Sequence, residues 1–334
     1  MVAYNFGFDF GLFNDRLVGS FDYFHNNRFD LLRQRIRVIP GTYGAPLSDE
    51  NYAEIDVRGV EFSLNYRNSI GRVNYTIGAN MGYAKDKVII IDEPVGLEDW
   101  RTAIGHPINR IWGYRSDGII RDQATLDALP EGFLQFGREP MLGVILYEDI
   151  RGVNRTEGSD GIVDENDQDW LSNNAIPRIN YGINGGFSWK NLKVDFLLQG
   201  VGAFDKIVKT QNTRSGGVFQ TGDRPYFDLW TNRWTPNRTD APYPRAGGWG
   251  MEEFGWGPSD FWIRPGAYMR LKNLNVAYDI PSQWLISQNI NFQFFFNGTN
   301  LFVLSAFNEY DPEQDRLDSY PLMKSFTGGI NVRF

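Results

Sequence analysis

The chain has 334 residues, 41 acidic against 33 basic side chains for a net charge of −8, and 25 Phe, 16 Tyr and 10 Trp with no Cys. That balance excludes the basic stripe of a nucleic-acid-binding surface, and the missing thiols exclude a disulfide framework and Cys-based metal or nucleophile chemistry. Mean hydropathy is negative and no run reaches the roughly eighteen apolar residues of a membrane helix, but a transmembrane strand needs only about ten alternating residues and escapes such averages.

In "AYNFGFDFGLF" (3–13), Tyr4, Phe6, Phe8, Phe10 and Leu12 fall on one face of an extended strand, and Asn5, Gly7, Asp9 and Gly11 on the other. "FNDR" (13–16) reads as a tight turn into a second strand near 17–27. After a long connection (27–56), strands near 56–68 and 72–85 flank the turn "NSIGR". The second sets Val73, Tyr75, Ile77, Ala79, Met81 and Tyr83 against Asn74, Thr76, Gly78, Asn80 and Gly82. A connection over 86–110, a strand near 111–119 and a connection over 120–177 follow. Strands near 178–190 and 192–202 then turn at Lys190 and Asn191. Beyond the connection at 203–266 come strands near 268–280 and 289–300, with Ile290, Phe292, Phe294 and Phe296 against Asn291, Gln293 and Asn297. A last strand, 325–334, closes on Phe334. About ten strands are expected.

The polar faces carry Asn, Gln, Ser, Thr and Gly more than long charges, which suits the hydrated or plug-filled interior of a wide barrel whose apolar band faces lipid. A soluble sandwich makes the opposite assignment, apolar inward and charged outward. Tight turns at one end and long loops at the other point the same way. The expected fold is therefore all-β, an antiparallel transmembrane β-barrel. The alternatives are a complete small outer-membrane barrel with a structural or adhesive role, and a secreted soluble β-sandwich binding module.

The blocks "YNFGFDFGLFNDRLVGSFDYF", "RGVEFSLNY", "IPRINYGINGGFSWKNLKVDFLLQGVGAFD", "YMRLKNLNVAYDIP", "NGTNLFVLS", "YDPE" and "YPLMKSFTGGINVRF" resemble, in order, the barrel of SusC/RagA-type TonB-linked outer-membrane transporters. The resemblance runs from about residue 3 to residue 334. It implies a 22-stranded barrel with a plug, of which residues 1–334 correspond to the carboxyl-terminal part. It further implies import of glycans, oligosaccharides or peptides with a SusD-like surface lipoprotein, energy from the TonB complex acting on the plug, and a place in the outer membrane of a Gram-negative bacterium. The implied partners are the upstream barrel and plug, the lipoprotein, the TonB complex and outer-membrane lipid, with no nucleic acid. Ten strands in lipid would leave two unpaired edges, each unsatisfied backbone group costing several kcal/mol. Met1 is therefore expected to open a piece of a larger protein, a split gene product or a truncation.

Two candidate sites follow. In "YEDIRGVNRTEGSDGIVDENDQDW" (147–170) the resemblance implies an oxygen-rich, calcium-type loop in which Asp149, Asp160, Asp164 and Asp167 match ligand positions and Gly161 the sharp turn. Arg151 stands where a ligand is expected, residues 153–159 are inserted, and a solvated acidic turn whose carboxylates cap backbone amides reads equally from the residues. In the 203–266 connection, Trp230, Trp234, Trp249 and Trp256 are candidates for stacking on sugar rings or on a lipoprotein lid, or for filling the connection's own core. Asn74, Asn80, Asn184, Asp195, Gln199, Asn291, Gln293 and Arg333 are expected on the interior wall. His25 and His106 share no metal-binding spacing, and no nucleophile, triad or phosphate loop is legible, so no enzyme is expected.

Overall fold

The computed structural model describes residues 1–35, 48–208, 231–245, 258–284, 290–316 and 319–333. Nine strands form one antiparallel sheet: β1 (Val2–Leu12), β2 (Leu17–Gln34), β3 (Asp49–Ile70), β4 (Val73–Ile90), β5 (Ile179–Trp189), β6 (Leu192–Gly202), β7 (Tyr268–Asp279), β8 (Asn291–Ser305) and β9 (Ser325–Arg333). Each lies beside its neighbour in sequence, from β1 at one edge to β9 at the other. Among the described residues no strand pairs with the outer side of either edge.

The register turns sequence alternation into two chemically distinct faces. One row across all nine strands runs Leu12, Leu17, Tyr66, Ile77, Gly185, Phe196, Leu274, Gly298 and Phe326. The next row, one residue along and on the opposite face, runs Gly11, Val18, Asn65, Gly78, Asn184, Leu197, Asn273, Thr299 and Ser325. Because the side-chain period is two, a one-residue slip anywhere would exchange the faces. The apolar face is not buried within the chain: Phe6, Ile77, Met81, Phe294 and Ile330 on it are exposed. Where aromatic rings need room on this face, glycine stands opposite. The Tyr181 ring lies over Gly200, where a Cβ would collide with it.

The tight turns fall at one end. Phe13, Asn14 and Asp15 have φ of 56°, 57° and 58°, Gly71 lies at 58° between β3 and β4, and Lys190 at 53° between β5 and β6, as short connections between twisted strands require. β2, β3 and β4 extend past the expected limits at the opposite end, so most of the expected 27–56 connection is strand. There Arg35 pairs with Glu50 at 2.9 Å and lies 3.8 Å over the Tyr52 ring.

The stretch 111–119 is not a strand of the sheet. Ile111–Gly113 pairs with Asp169–Ser172, and Ser116–Ile119 pairs with Ile145–Tyr147, in separate two-stranded pieces, while β4 pairs directly with β5. The single connection 91–178 thereby packs with residues from the connections after β6 and β8. Tyr114, Phe133, Ile145, Tyr147, Val163, Trp234, Trp262 and Phe307 make a buried core at the loop end. The buried apolar core of this protein thus belongs to its connections, not to its sheet.

Candidate functional site

The polar face carries a network of amides and hydroxyls with scattered charges. Ser20 and Ser63 hydroxyls are 2.7 Å apart, Gln293 Nε2 donates to Asp279 Oδ1 at 2.8 Å, and Asn331 Nδ2 donates to Gln293 Oε1 at 3.1 Å. Asn297 donates to Asn275. The eight expected wall residues share this face: Asn80 stands opposite Ser63, Asp195 opposite Gly186, Gln199 opposite Gly182 and Asn291 opposite Arg333. A concavity of about 530 Å³ lies against it, lined by Asp22, Glu61, Asn80, Asn180, Asn184 and Gln199.

At the loop end, ion pairs clamp the segment after β8 onto β7. Arg270, almost fully buried, holds Asp311 at 2.6 Å and Glu313 at 2.5 Å, and Lys272 holds Glu313 at 2.8 Å. Lys206 Nζ donates to the carbonyls of Pro312, at 2.8 Å, and Gln314. Beside this clamp is a ladder of tryptophans and arginines. Trp100 stacks on Trp112 with centroids 5.7 Å apart, and Trp170 meets Trp112 edge-on at 4.8 Å. The Arg151 guanidinium lies 3.6 Å over Trp100, and that of Arg110 3.7 Å over Trp170. Such contacts favour desolvated cations. Clamp and ladder border a cavity of about 780 Å³ whose lining includes Arg110, Trp112, Phe204, Lys206, Tyr268 and Glu313.

In the 147–170 loop every candidate carboxylate accepts amide hydrogen bonds. Asp149 accepts from the amides of Gly161 at 2.6 Å and Asp160 at 3.3 Å, and Asp160 from that of Ile162 at 3.0 Å. Asp164 accepts from the amide of Asn166 at 2.7 Å. Asp167, fully buried, accepts from Ile150 and Arg151, both at 2.9 Å, and from Asp164 at 2.8 Å. Burial raises the Asp167 carboxyl above its ordinary range against the pull of those amides. Among the described residues no three acidic or His side chains converge as a cation site; as arranged, the four carboxylates are engaged by backbone amides of the loop. Arg151, at the odd position of the pattern, donates to the Gln168 carbonyl at 3.0 Å.

Of the four candidate tryptophans, Trp230, Trp249 and Trp256 lie outside the described residues. Trp234 is in the loop core, 4% exposed, with its amide donating to Tyr243 at 2.7 Å. Its ring closes over Gly143, where φ is 88° and a Cβ would strike the indole. Phe334, the aromatic end of the last strand, is also outside the described residues. His25 pairs with Asp56 on β3, and His106 lies away in the 91–178 connection. The sequence offered no sign of Arg110, Trp112 and Trp170, since the partners that give them meaning are up to sixty positions away.

No family model matches the chain. It is 26% identical over 351 aligned residues to TonB-dependent receptor P26 of Formosa agariphila, covering 97% of this chain and 33% of that protein. It is 25% identical to TonB-dependent receptor P3 of the same organism and 19% identical to TonB-dependent receptor SusC of Bacteroides thetaiotaomicron, covering 98% and 100% of this chain. Its fold is similar to that in the structure of the RagAB peptide transporter, with a TM-score of 0.71 at 19% identity over 99% of this chain and 35% of that one. The likeness to the closed-closed state of the RagAB peptide importer has a TM-score of 0.70. The chain spans about a third of the length of the curated relatives it matches. Motif blocks, sheet and relatives agree in making the chain similar to the barrel of SusC/RagA-type TonB-dependent receptors.

Proposed function

We propose that the chain forms part of the wall of an outer-membrane, TonB-dependent transporter. Its apolar face lies against lipid, its polar face lines the passage, and its long connections stand outside the cell. The observation that carries the reading is the pair of opposed rows, apolar and neutral-polar, that continue across all nine strands. On β3 the lipid-facing side runs from Val60 to Ile70, apolar but for Asn68, about 33 Å along the strand at about 3.3 Å per residue and about 25 Å in height at a tilt of about 40°, the height of a barrel's lipid-facing band. Tyr75 and Trp189, with Lys190 4.9 Å from the Trp189 ring, mark the turn-end interface, where amphipathic rings are favoured.

The unpaired outer sides of β1 and β9 call for further strands, which the rest of a larger barrel supplies together with the plug on which TonB acts. Amides and hydroxyls interspersed with a few charges on the wall suit glycans, oligosaccharides or peptides. The likeness to the RagAB peptide transporter favours peptides, and the SusC/RagA resemblance adds a surface lipoprotein partner of the SusD type. The test is to fold the protein in detergent micelles with and without its upstream coding region and to compare gel mobility before and after heating. Compact, heat-modifiable protein only with the upstream region supports a shared barrel. A compact species from residues 1–334 alone means a complete small barrel, and an ordered monomer in plain buffer overturns the membrane reading.

A further inference from the structure

Among the described residues Arg110, in the loop-end cavity, meets no carboxylate. Glu313 is bound by Arg270 and Lys272, and Asp205 accepts from Ser172 at 2.5 Å. Arg110 makes no ion pair among the described residues. Its Nη1 donates to the Thr102 carbonyl at 3.0 Å, its Nε has no acceptor, and Nη2 has no hydrogen-bond partner among the described residues. Asp169, the nearest carboxylate to act on it through space, is committed to Arg115 at 2.6 Å and Arg151 at 3.6 Å. Trp170 holds the guanidinium by its ring face, and Trp112, itself wedged between Trp100 and Trp170, stands beside it on the cavity wall. Leaving a charged donor unmatched in a partly dry site is costly, and a ligand that supplies the acceptor recovers that cost. The neighbouring Tyr268 and Val201 are the loop-end residues of the polar face, so the cavity opens where the proposed passage begins.

We propose that this cavity selects ligands bearing a carboxylate, received by Arg110 while an apolar flank of the ligand rests on Trp112. The proposal rests on the transporter reading, for it names a chemical class that the passage would take. A guanidinium offers parallel donors to a planar carboxylate and an aromatic face accepts the C–H side of a sugar ring or a short side chain. Acidic sugars and free peptide C-termini share that chemistry.

The test is calorimetric titration of the protein, folded in detergent micelles together with its upstream region, with trigalacturonate, neutral galactotriose, triglycine and triglycine amide. The expected result is that at least one acid binds about tenfold or more tightly than its neutral counterpart, that R110Q abolishes the difference, and that R110K retains part of it. Which acid binds assigns the source of the carboxylate. Equal binding of acid and neutral ligands, no binding of either acid, or unchanged discrimination in R110Q overturns the proposal. If R110Q loses heat-modifiable mobility, R110K and the salt dependence of the unaltered protein decide. Discrimination unchanged by salt and retained in full by W112A would also overturn it. An ordered monomer in plain buffer refutes the transporter reading, whereas a protein that folds in detergent with its upstream region and does not discriminate refutes only this inference.

Discussion

Ile77 and Asn80 lie three residues apart on β4 and on opposite faces of the sheet. Ile77 is 51% exposed, flanked by Tyr66 and Gly185. Four residues separate it from Val73 at the turn end, about 13 Å along the strand and about 10 Å in depth at a tilt of about 40°. Within a band about 25 Å tall that is close to the midplane, where an arginine costs about 2–4 kcal/mol. At about 1.4 kcal/mol per tenfold, Ile77→Arg should lower the folded-to-unfolded ratio by roughly 30- to 800-fold. Asn80→Arg projects into the concavity that Asp22 and Glu61 also line, and should change stability by less than about 0.5 kcal/mol. Urea unfolding in phospholipid vesicles, followed by tryptophan emission and by mobility on unheated gels, measures both. Equal effects, or a larger effect at Asn80, would mean that the two faces have been assigned to the wrong solvents.

Two further outcomes concern the loops. Asp167→Ala removes the acceptor of three partly buried amides, each unmatched donor costing up to about 1–3 kcal/mol; protease cleavage within 149–167 should accelerate by at least about tenfold, with Asp167→Asn intermediate. Millimolar calcium should leave those rates unchanged, and protection by calcium of the unaltered protein alone would restore the cation reading. Burial pushes the Tyr114 phenol up to about 12, above the ordinary value of about 10. Its contribution to the loop core is therefore whole below pH 10 and is lost as pH rises through 12. Tryptophan emission from the loop core should change between those limits while the β-sheet circular dichroism persists. A profile unaltered in Tyr114→Phe would remove this residue as the cause.

The alternation that defines β1, β4, β5 and β8 is legible because strand periodicity is local and each side chain reports its face without help from the rest of the fold. The stretch 111–119 reads as a strand of the sheet, but it divides into two short strands paired within its own connection, and Ile111 and Ile119 are buried there. A parity argument was open: in a simple up-and-down sheet, a tenth strand there would place the long 120–177 connection at the end where the tight turns lie. The overlong β2 and β3 were missed because their outer ends carry charges, such as Arg33 opposite Glu50, that look like loop when read singly and pair only across strands. The acidic run at 149–167 shows the limit of motif reading. Spacing reports carboxylate density, but which oxygens face inward depends on amides such as Ile150 and Gly161 whose directions only the folded turn sets. Trp234 is decided likewise by Gly143, ninety-one positions earlier.

The loop core also sets an order of events. Ser116 bonds Asp260 across 144 positions, and Lys206 reaches Pro312 across 106. Closing such spans costs chain entropy before any contact rewards it. The hairpins, whose partners are neighbours in sequence, have no such delay. The cap at the loop end can therefore mature only after the strands between its parts have been laid down in register. A wild-type chain stalled during assembly should be recognisable by a formed sheet with Trp234 and Trp262 still accessible to quenchers, which makes those two indoles natural clocks for the last step of maturation.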